Sequence, residues 1–160
     1  MAIRKGLDDN GPAKDRRSDM ALSVIRLGTP RTGRELRIGT VRRPPRGVRK
    51  EDFARLGYYD VWLPLLSPSE TLVGEWRSAA GDPRAMAGCK KKFRDELKKS
   101  GGLNVIALLA ALSRRTDISV GCYCEDESAC HRSVLRELLA GHGAEFAKAG
   151  GEKRRPGGDL

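Results

Sequence analysis

The sequence predicts an α/β domain with a mostly parallel sheet flanked by helices. Three observations lead there: short apolar segments of strand type near Ala21–Leu27 and Leu36–Val41, a helical middle, and a closing strand, loop and helix from Asp117 to Gly143. Strands separated by helical segments favour parallel pairing with crossover connections. A length of 160 residues suits one domain with a core large enough to stand without covalent staples. We place that domain at residues 20–146, between tails at 1–19 and 147–160 that are expected to be disordered.

The composition, 39% hydrophobic and 32% charged, is that of a globular chain with a heavily charged surface. The longest apolar run, Val105–Leu112, is too short to span a bilayer and reads as a buried helix. The opening residues MAIRKGLDDNGPAKDRRSDM carry no apolar stretch of signal-peptide type, so a cytoplasmic location and no membrane partner are expected. Four cysteines without such a leader are better read as thiols or ligands than as a disulfide framework.

The net charge of +10 is bipolar. Residues 26–50 hold nine Arg or Lys against Glu35, a local +8, whereas 117–145 hold six acids against Arg132 and Arg136, a local −4. The basic stretch is either a solvated arginine surface or a seat for a phosphate-bearing partner, nucleotide or nucleic acid. With 5% aromatics overall and none between Arg31 and Lys50, stacking on single strands has little support.

Taken in order, Ala21–Leu27 is a strand ended by Gly28-Thr29-Pro30. Leu36–Val41 alternates with period two, which would turn Leu36, Ile38 and Thr40 the same way. It runs into Arg42-Arg43-Pro44-Pro45-Arg46, where two prolines forbid both ladder and helix and present the arginines on a stiff loop. Lys50–Gly57 reads as a helical turn ended by glycine, and Tyr58–Leu66 as an extended aromatic segment. Ser67-Pro68-Ser69-Glu70 has capping-box spacing, with Ser67 as N-cap of a helix to about Ala79. Asp82-Pro83 opens the next helix, whose Met86, Cys89, Phe93 and Leu97 form one apolar stripe that assigns Cys89 to the core. Gly101-Gly102 separates it from an apolar helix over Leu103–Ser113.

Chemistry concentrates in DISVGCYCEDESACHRSVLRELLAGHG, which holds three of the four cysteines and both histidines. If 117–124 is a strand, Ile118, Val120, Cys122 and Cys124 share a face. Same-face neighbours lie too far apart for a Cys122–Cys124 disulfide. The following helix, starting near Cys130, buries Val134, Leu135, Leu138 and Leu139, and on that wheel His131 points inward at the helix N-terminus. In an open α/β sheet the carboxyl ends of the strands are where ligands bind. A helix N-terminus and the Arg132 fork favour an anion there and would lower the Cys130 pKa, while Glu125, Asp126 and Glu127 oppose an anion unless turned outward. His142, between two glycines, reads as a cap.

Three readings of the cluster stay open. Cys122 and His131 are core residues; or CxCx5CH holds zinc, against which Cys122 looks too deep to share a metal with Cys130; or Cys124, Cys130, His131 and Arg132 form a pocket with Arg42, Arg43 and Arg46. We assign no metal ligands and no cofactor, with zinc as the minor alternative. We take Cys124, Cys130, His131 and Arg132 as the catalytic candidates, the thiols as nucleophiles, His131 as acid or base and the arginines as charge stabilisers. A phosphatase loop needs Cys and Arg six apart, and Cys124 to Arg132 is eight.

The segments RIGTVRRPPRGVRKEDFARLGYYDVWLPLLSPS, FRDEL and GCYCEDESACHRSVLRELL resemble the YeaO-like proteins grouped as domain of unknown function 488, over roughly Leu22 to Ala144. Arg43-Pro44-Pro45-Arg46 departs from the tryptophan that usually precedes Pro-Arg-Gly in the YeaO branch of that family. The resemblance implies a compact α/β fold and no particular reaction. It adds Trp62 and Ser67 to Arg43, Arg46, His131 and Arg132 as candidates for one shared pocket. The expected partner is a small anionic or nucleotide-like ligand; the alternative is a nucleic-acid-binding module using the 26–50 surface.

Overall fold

The computed structural model describes residues 20–31 and 33–148. Its strands are β1 (Leu22–Arg26), β2 (Leu36–Gly39), β3 (Val61–Trp62) and β4 (Ile118–Cys122). Its α-helices are α1 (Glu70–Ser78), α2 (Pro83–Ser100), α3 (Gly102–Leu112) and α4 (Arg132–Gly141). The sheet is parallel throughout in the order β1-β4-β2-β3, with Val24 opposite Val120 and Ile38 opposite Val120 across the two central ladders. This is the α/β architecture the strand and helix pattern implies. The 1–19 tail lies wholly outside the described residues, and the 147–160 tail does so apart from residues 147 and 148. Phe146 bridges to Leu22, and Ala147 donates to the Leu22 carbonyl at 2.9 Å, covering the β1 edge.

Every residue of β4 is buried, because a central strand in a parallel sheet is covered on both faces. Leu22, Ile38, Ile118 and Val120 pack with Leu72, Phe93, Leu97, Ile106, Val134, Leu135 and Leu139 of the helices, which forms the main core. The Cys89, Phe93 and Leu97 stripe is buried as its spacing requires. Segments 27–35 and 49–60 meet through Arg37, whose guanidinium donates to the carbonyls of Thr29 (2.6 Å), Gly57 (2.6 Å) and Pro30 (3.1 Å) and to Glu35 (2.9 Å). Leu36, at the start of β2, is 44% exposed although Ile38 on the same face is buried, and Arg37 is buried on the opposite face. The carbonyls of two crossing loops supply the acceptors that let Arg37 be buried.

Gly39 lets Tyr59 lie flat on β2, since a Cβ there would stand 2.3 Å from the Tyr59 ring. Gly39→Ala is therefore expected to destabilise by about 1–3 kcal/mol through overpacking. An unchanged urea midpoint would show that the Tyr59 ring is free to move aside.

Several boundaries differ from the pattern. Tyr58–Leu66 supplies only the two-residue β3, because Pro64 has no N–H for a ladder and Pro64–Leu66 winds into a 3-10 turn. The N-cap of α1 is Ser69, not Ser67. Ser67 is extended and ends the 3-10 turn, so the helix starts two residues later than the capping box implies. Ser69 Oγ accepts from the Leu72 N–H at 3.3 Å, and the reciprocal carboxylate comes from Glu96 of α2, which accepts the Ser69 N–H at 3.0 Å. Asp82 caps α2 as expected, accepting from the N–H groups of Arg84 and Ala85. At the end of α4, His142 Nδ1 is 2.8 Å from the Leu138 carbonyl, a capping contact.

Candidate functional site

β4 ends at Cys122, and the chain crosses the carboxyl edge of the sheet through Tyr123 to Ala129 before α4 begins at Arg132. Cys124 lies past the strand and is exposed, whereas Cys122 and Cys130 are buried and all are free thiols. The three sulfurs, Cys122, Cys124 and Cys130, lie within 4.8 Å of one another, with Cys122 to Cys124 at 3.8 Å. Cys122 therefore reaches its partners, correcting the expectation that it is too deep. The loop folds Cys124 and Cys130 back over the strand end, and spacing along an ideal strand does not describe that turn.

His131 is buried as the helical wheel requires. Its Nε2 stands 2.7 Å from the Thr40 carbonyl, which can only accept, so Nε2 carries the proton. Nδ1 is left as the acceptor, 3.6 Å from Cys130 Sγ. The ring is held edge to face by Phe93 at 5.5 Å and Trp76 at 6.5 Å, and Trp76 Nε1 donates to the Ala129 carbonyl at 2.8 Å. Thus the residue just past β2, together with α1 and α2, fixes one imidazole.

Arg132 is 3% exposed. It donates from Nη2 to the Cys124 carbonyl at 2.6 Å, while its Nε is buried without a partner. The acidic loop is turned to other cations and donors. Glu125 pairs with Arg26 at 3.2 Å, Asp126 accepts from Ser128 at 2.7 Å, and Glu127 pairs with Arg136. Among the three thiols, Cys124 and Cys130 are both held below the ordinary thiol range, Cys130 chiefly by the hydrogen bond from Cys122. Hydrogen bonds from Cys122 and Cys130, with a smaller contribution from the Arg132 charge, hold Cys124 well below the ordinary thiol range. Cys122 is pushed up by the hydrogen bonds it gives to Cys124 and Cys130 and by burial.

Cys124, Cys130, His131 and Arg132 are thus brought together, and Cys122 joins them. The arginine loop meets them at its root. Thr40 touches His131, Val41 packs with Cys122 and Cys130, and Tyr123 Oη donates to the Arg43 carbonyl at 3.0 Å. Arg42 spends its guanidinium on the Ser67 and Pro68 carbonyls, both at 2.9 Å, and Trp62 Nε1 donates to the Val41 carbonyl at 2.8 Å. In these contacts Arg42, Trp62 and Ser67 hold the loop. Arg43 pairs with Glu70 at 2.8 Å at the surface, and Arg46 is exposed. Thr40, Tyr123, Trp76 and Phe93 escaped the sequence reading. Phe93 and Thr40 carried local signals, a place on the α2 stripe and the alternation of Leu36–Val41, but those signals report a face rather than what the side chain or carbonyl touches.

Because Cys124 is the exposed cysteine of the four, iodoacetamide on the native metal-free chain is expected to modify it first. Cys89, Cys122 and Cys130 should react fully only after unfolding. Peptide mass mapping after brief labelling checks this, and equal labelling of Cys122 and Cys124 would contradict the burial difference.

A family model described as the active DUF488-N3 subclade matches residues 22–143, which runs from the start of β1 to just past α4 and includes the whole thiol loop. No curated protein and no solved structure matched the chain. With the parallel sheet, the CHR turn at the start of α4 and a match over most of its length, the chain belongs to the DUF488 family.

Proposed function

We propose that the chain binds a small anionic, nucleotide-like ligand at the carboxyl edge of its sheet, with Arg132 as the anion anchor and Cys124 as the sulfur presented to it. The carrying observation is the buried guanidinium of Arg132, which leaves Nε without an acceptor. A buried donor left unpaired costs about 1–3 kcal/mol, which an anionic oxygen near it would return. The pairing of Glu125 with Arg26 and of Glu127 with Arg136 supports this reading by offsetting two of the three carboxylates of the loop, while Asp126 bonds to Ser128. The half-exposed Trp62, with its indole N–H fixed, offers a ring face for a base, and Arg43 and Arg46 extend the positive charge. In a covalent reaction Cys124 would be the nucleophile, and His131 would act on the proton of Cys130, the sulfur its Nδ1 faces.

Six of the nine basic residues between 26 and 50 donate to acceptors within the protein: Arg26, Arg31, Arg37, Arg42, Arg43 and Arg49. Their charge is partly spent inside the molecule, and the nucleic-acid reading gains no separate support from them.

Calorimetric titration with inorganic phosphate and with a nucleoside monophosphate tests the proposal. Binding to the native chain and at least tenfold weaker binding to Arg132→Gln are expected, with partial recovery in Arg132→Lys, which keeps the charge without the planar fork. Melting curves of both variants separate lost binding from lost folding. Equal affinity in folded Arg132→Gln, or no binding to the native chain, overturns it.

A further inference from the structure

We propose that Cys122, Cys124 and Cys130 form a three-thiolate site for a thiophilic divalent cation of the zinc type, with the fourth coordination position left to water or to a ligand. The observation is the convergence of three sulfurs from two sides of one loop. Cys122 comes from the end of β4, Cys124 from just past it and Cys130 from just before α4, all within 4.8 Å of one another. Metal–sulfur bonds of about 2.3 Å in a tetrahedral centre put neighbouring sulfurs about 3.8 Å apart. Cys122 and Cys124 already stand at 3.8 Å. Little movement of that pair is needed, so the ordering cost that normally opposes metal capture is largely met by the fold.

The surroundings have the character of an outer shell around thiolate ligands. His131 packs beside Cys130, with Nδ1 3.6 Å from Sγ, and its ring is locked by the Thr40 carbonyl, which fixes that wall of the site. Three thiolates and a divalent ion carry a net −1, and the buried guanidinium of Arg132 lies against the same loop with an N–H to spare. Soft sulfur ligands favour zinc and monovalent copper over magnesium or calcium. Three protein ligands are the number found in zinc centres that keep an open position, as opposed to the four of closed structural sites.

Loading exchanges sulfur-bound protons and metal-bound waters for three metal–sulfur bonds. The protons leave to solvent, and neither the ion nor the sulfurs change oxidation state. The ion also takes the Cys124 sulfur, so metal loading and alkylation of Cys124 exclude each other. This inference goes beyond the anion-binding reading and does not need it. Its failure would leave phosphate binding at Arg132 untouched.

The test is titration of the reduced full chain with Zn2+ against a competing chromophoric chelator, and with Co2+ followed by absorption. One equivalent per chain is expected, with a thiolate-to-cobalt charge-transfer band and protection of Cys124 from iodoacetamide. Cys124→Ser, at an exposed position that leaves the core intact, should weaken Zn2+ binding at least tenfold, as should Cys122→Ser and Cys130→Ser. Cys89→Ala should bind as the native chain does. Absence of the charge-transfer band, or Zn2+ affinity unchanged in folded Cys124→Ser, overturns the proposal. So does selective uptake of Cu+ with no Zn2+ bound. Rapid alkylation of Cys124 that Zn2+ does not slow overturns the metal site while leaving the exposed sulfur available to the anionic ligand.

Discussion

Arg37→Ala is expected to destabilise the domain by about 3–5 kcal/mol, the range for removing one member of a buried ion pair. Arg37 is 3% exposed and donates to three carbonyls and to Glu35, whose side chain is 16% exposed. Truncation leaves Glu35 without its cation and the carbonyls of Thr29, Pro30 and Gly57 without their shared donor. It also opens a void between segments 27–35 and 49–60. Against a typical domain stability of about 5–15 kcal/mol, that loss brings the fold near its limit. Urea denaturation measures the cost, and a change below about 1 kcal/mol would mean that water replaces the guanidinium. Arg37→Met separates the two contributions. It restores most of the volume and none of the hydrogen bonds, so it should recover only part of the loss.

Phe93→Ala is the second large effect, at about 3–5 kcal/mol for a fully buried aromatic. Its consequence reaches the site. Phe93 stands edge to face with both Trp76 (6.2 Å) and His131 (5.5 Å), so the cavity opens directly beside the imidazole. Besides the drop in the urea midpoint, the variant should show weaker Zn2+ binding than Leu97→Ala, a core truncation on the same helix that makes no aromatic contact with His131. Equal Zn2+ affinity in Phe93→Ala and Leu97→Ala, with both folded, would mean that the aromatic contacts do not position His131.

The two substitutions act at different levels. Arg37 secures segments from which the arginine loop departs, and Phe93 secures the histidine that faces the thiols.

Much of the fold was legible because it rests on local periodicity. The stripe of Cys89, Phe93 and Leu97, the Asp82-Pro83 start and the inward turn of His131 all follow from 100° per residue and from capping chemistry. The capping box at Ser67 misled because Ser67 and Ser69 carry the same hydroxyl. Choosing between them required knowing that Glu96, twenty-seven residues from Ser69, would supply the carboxylate. Arg37 was counted with the surface charges because nothing within β2 reveals that two loops cross over it.

The candidate site divides the same way. Composition and spacing alone pointed to the segment from Asp117 to Gly143, its strand-to-helix turn and Cys124, Cys130, His131 and Arg132 as neighbours, because those residues are close in sequence and a helix N-terminus orders its neighbours locally. Only the tertiary structure brought Cys122 to its partners, set Thr40 against His131 and left one N–H of Arg132 without an acceptor. The physical reason is that an irregular loop has no period to extrapolate. Where Tyr123 to Ala129 turns back depends on Trp76, Lys90 and Arg136, which hold Ala129, Ser128 and Glu127 from separate helices.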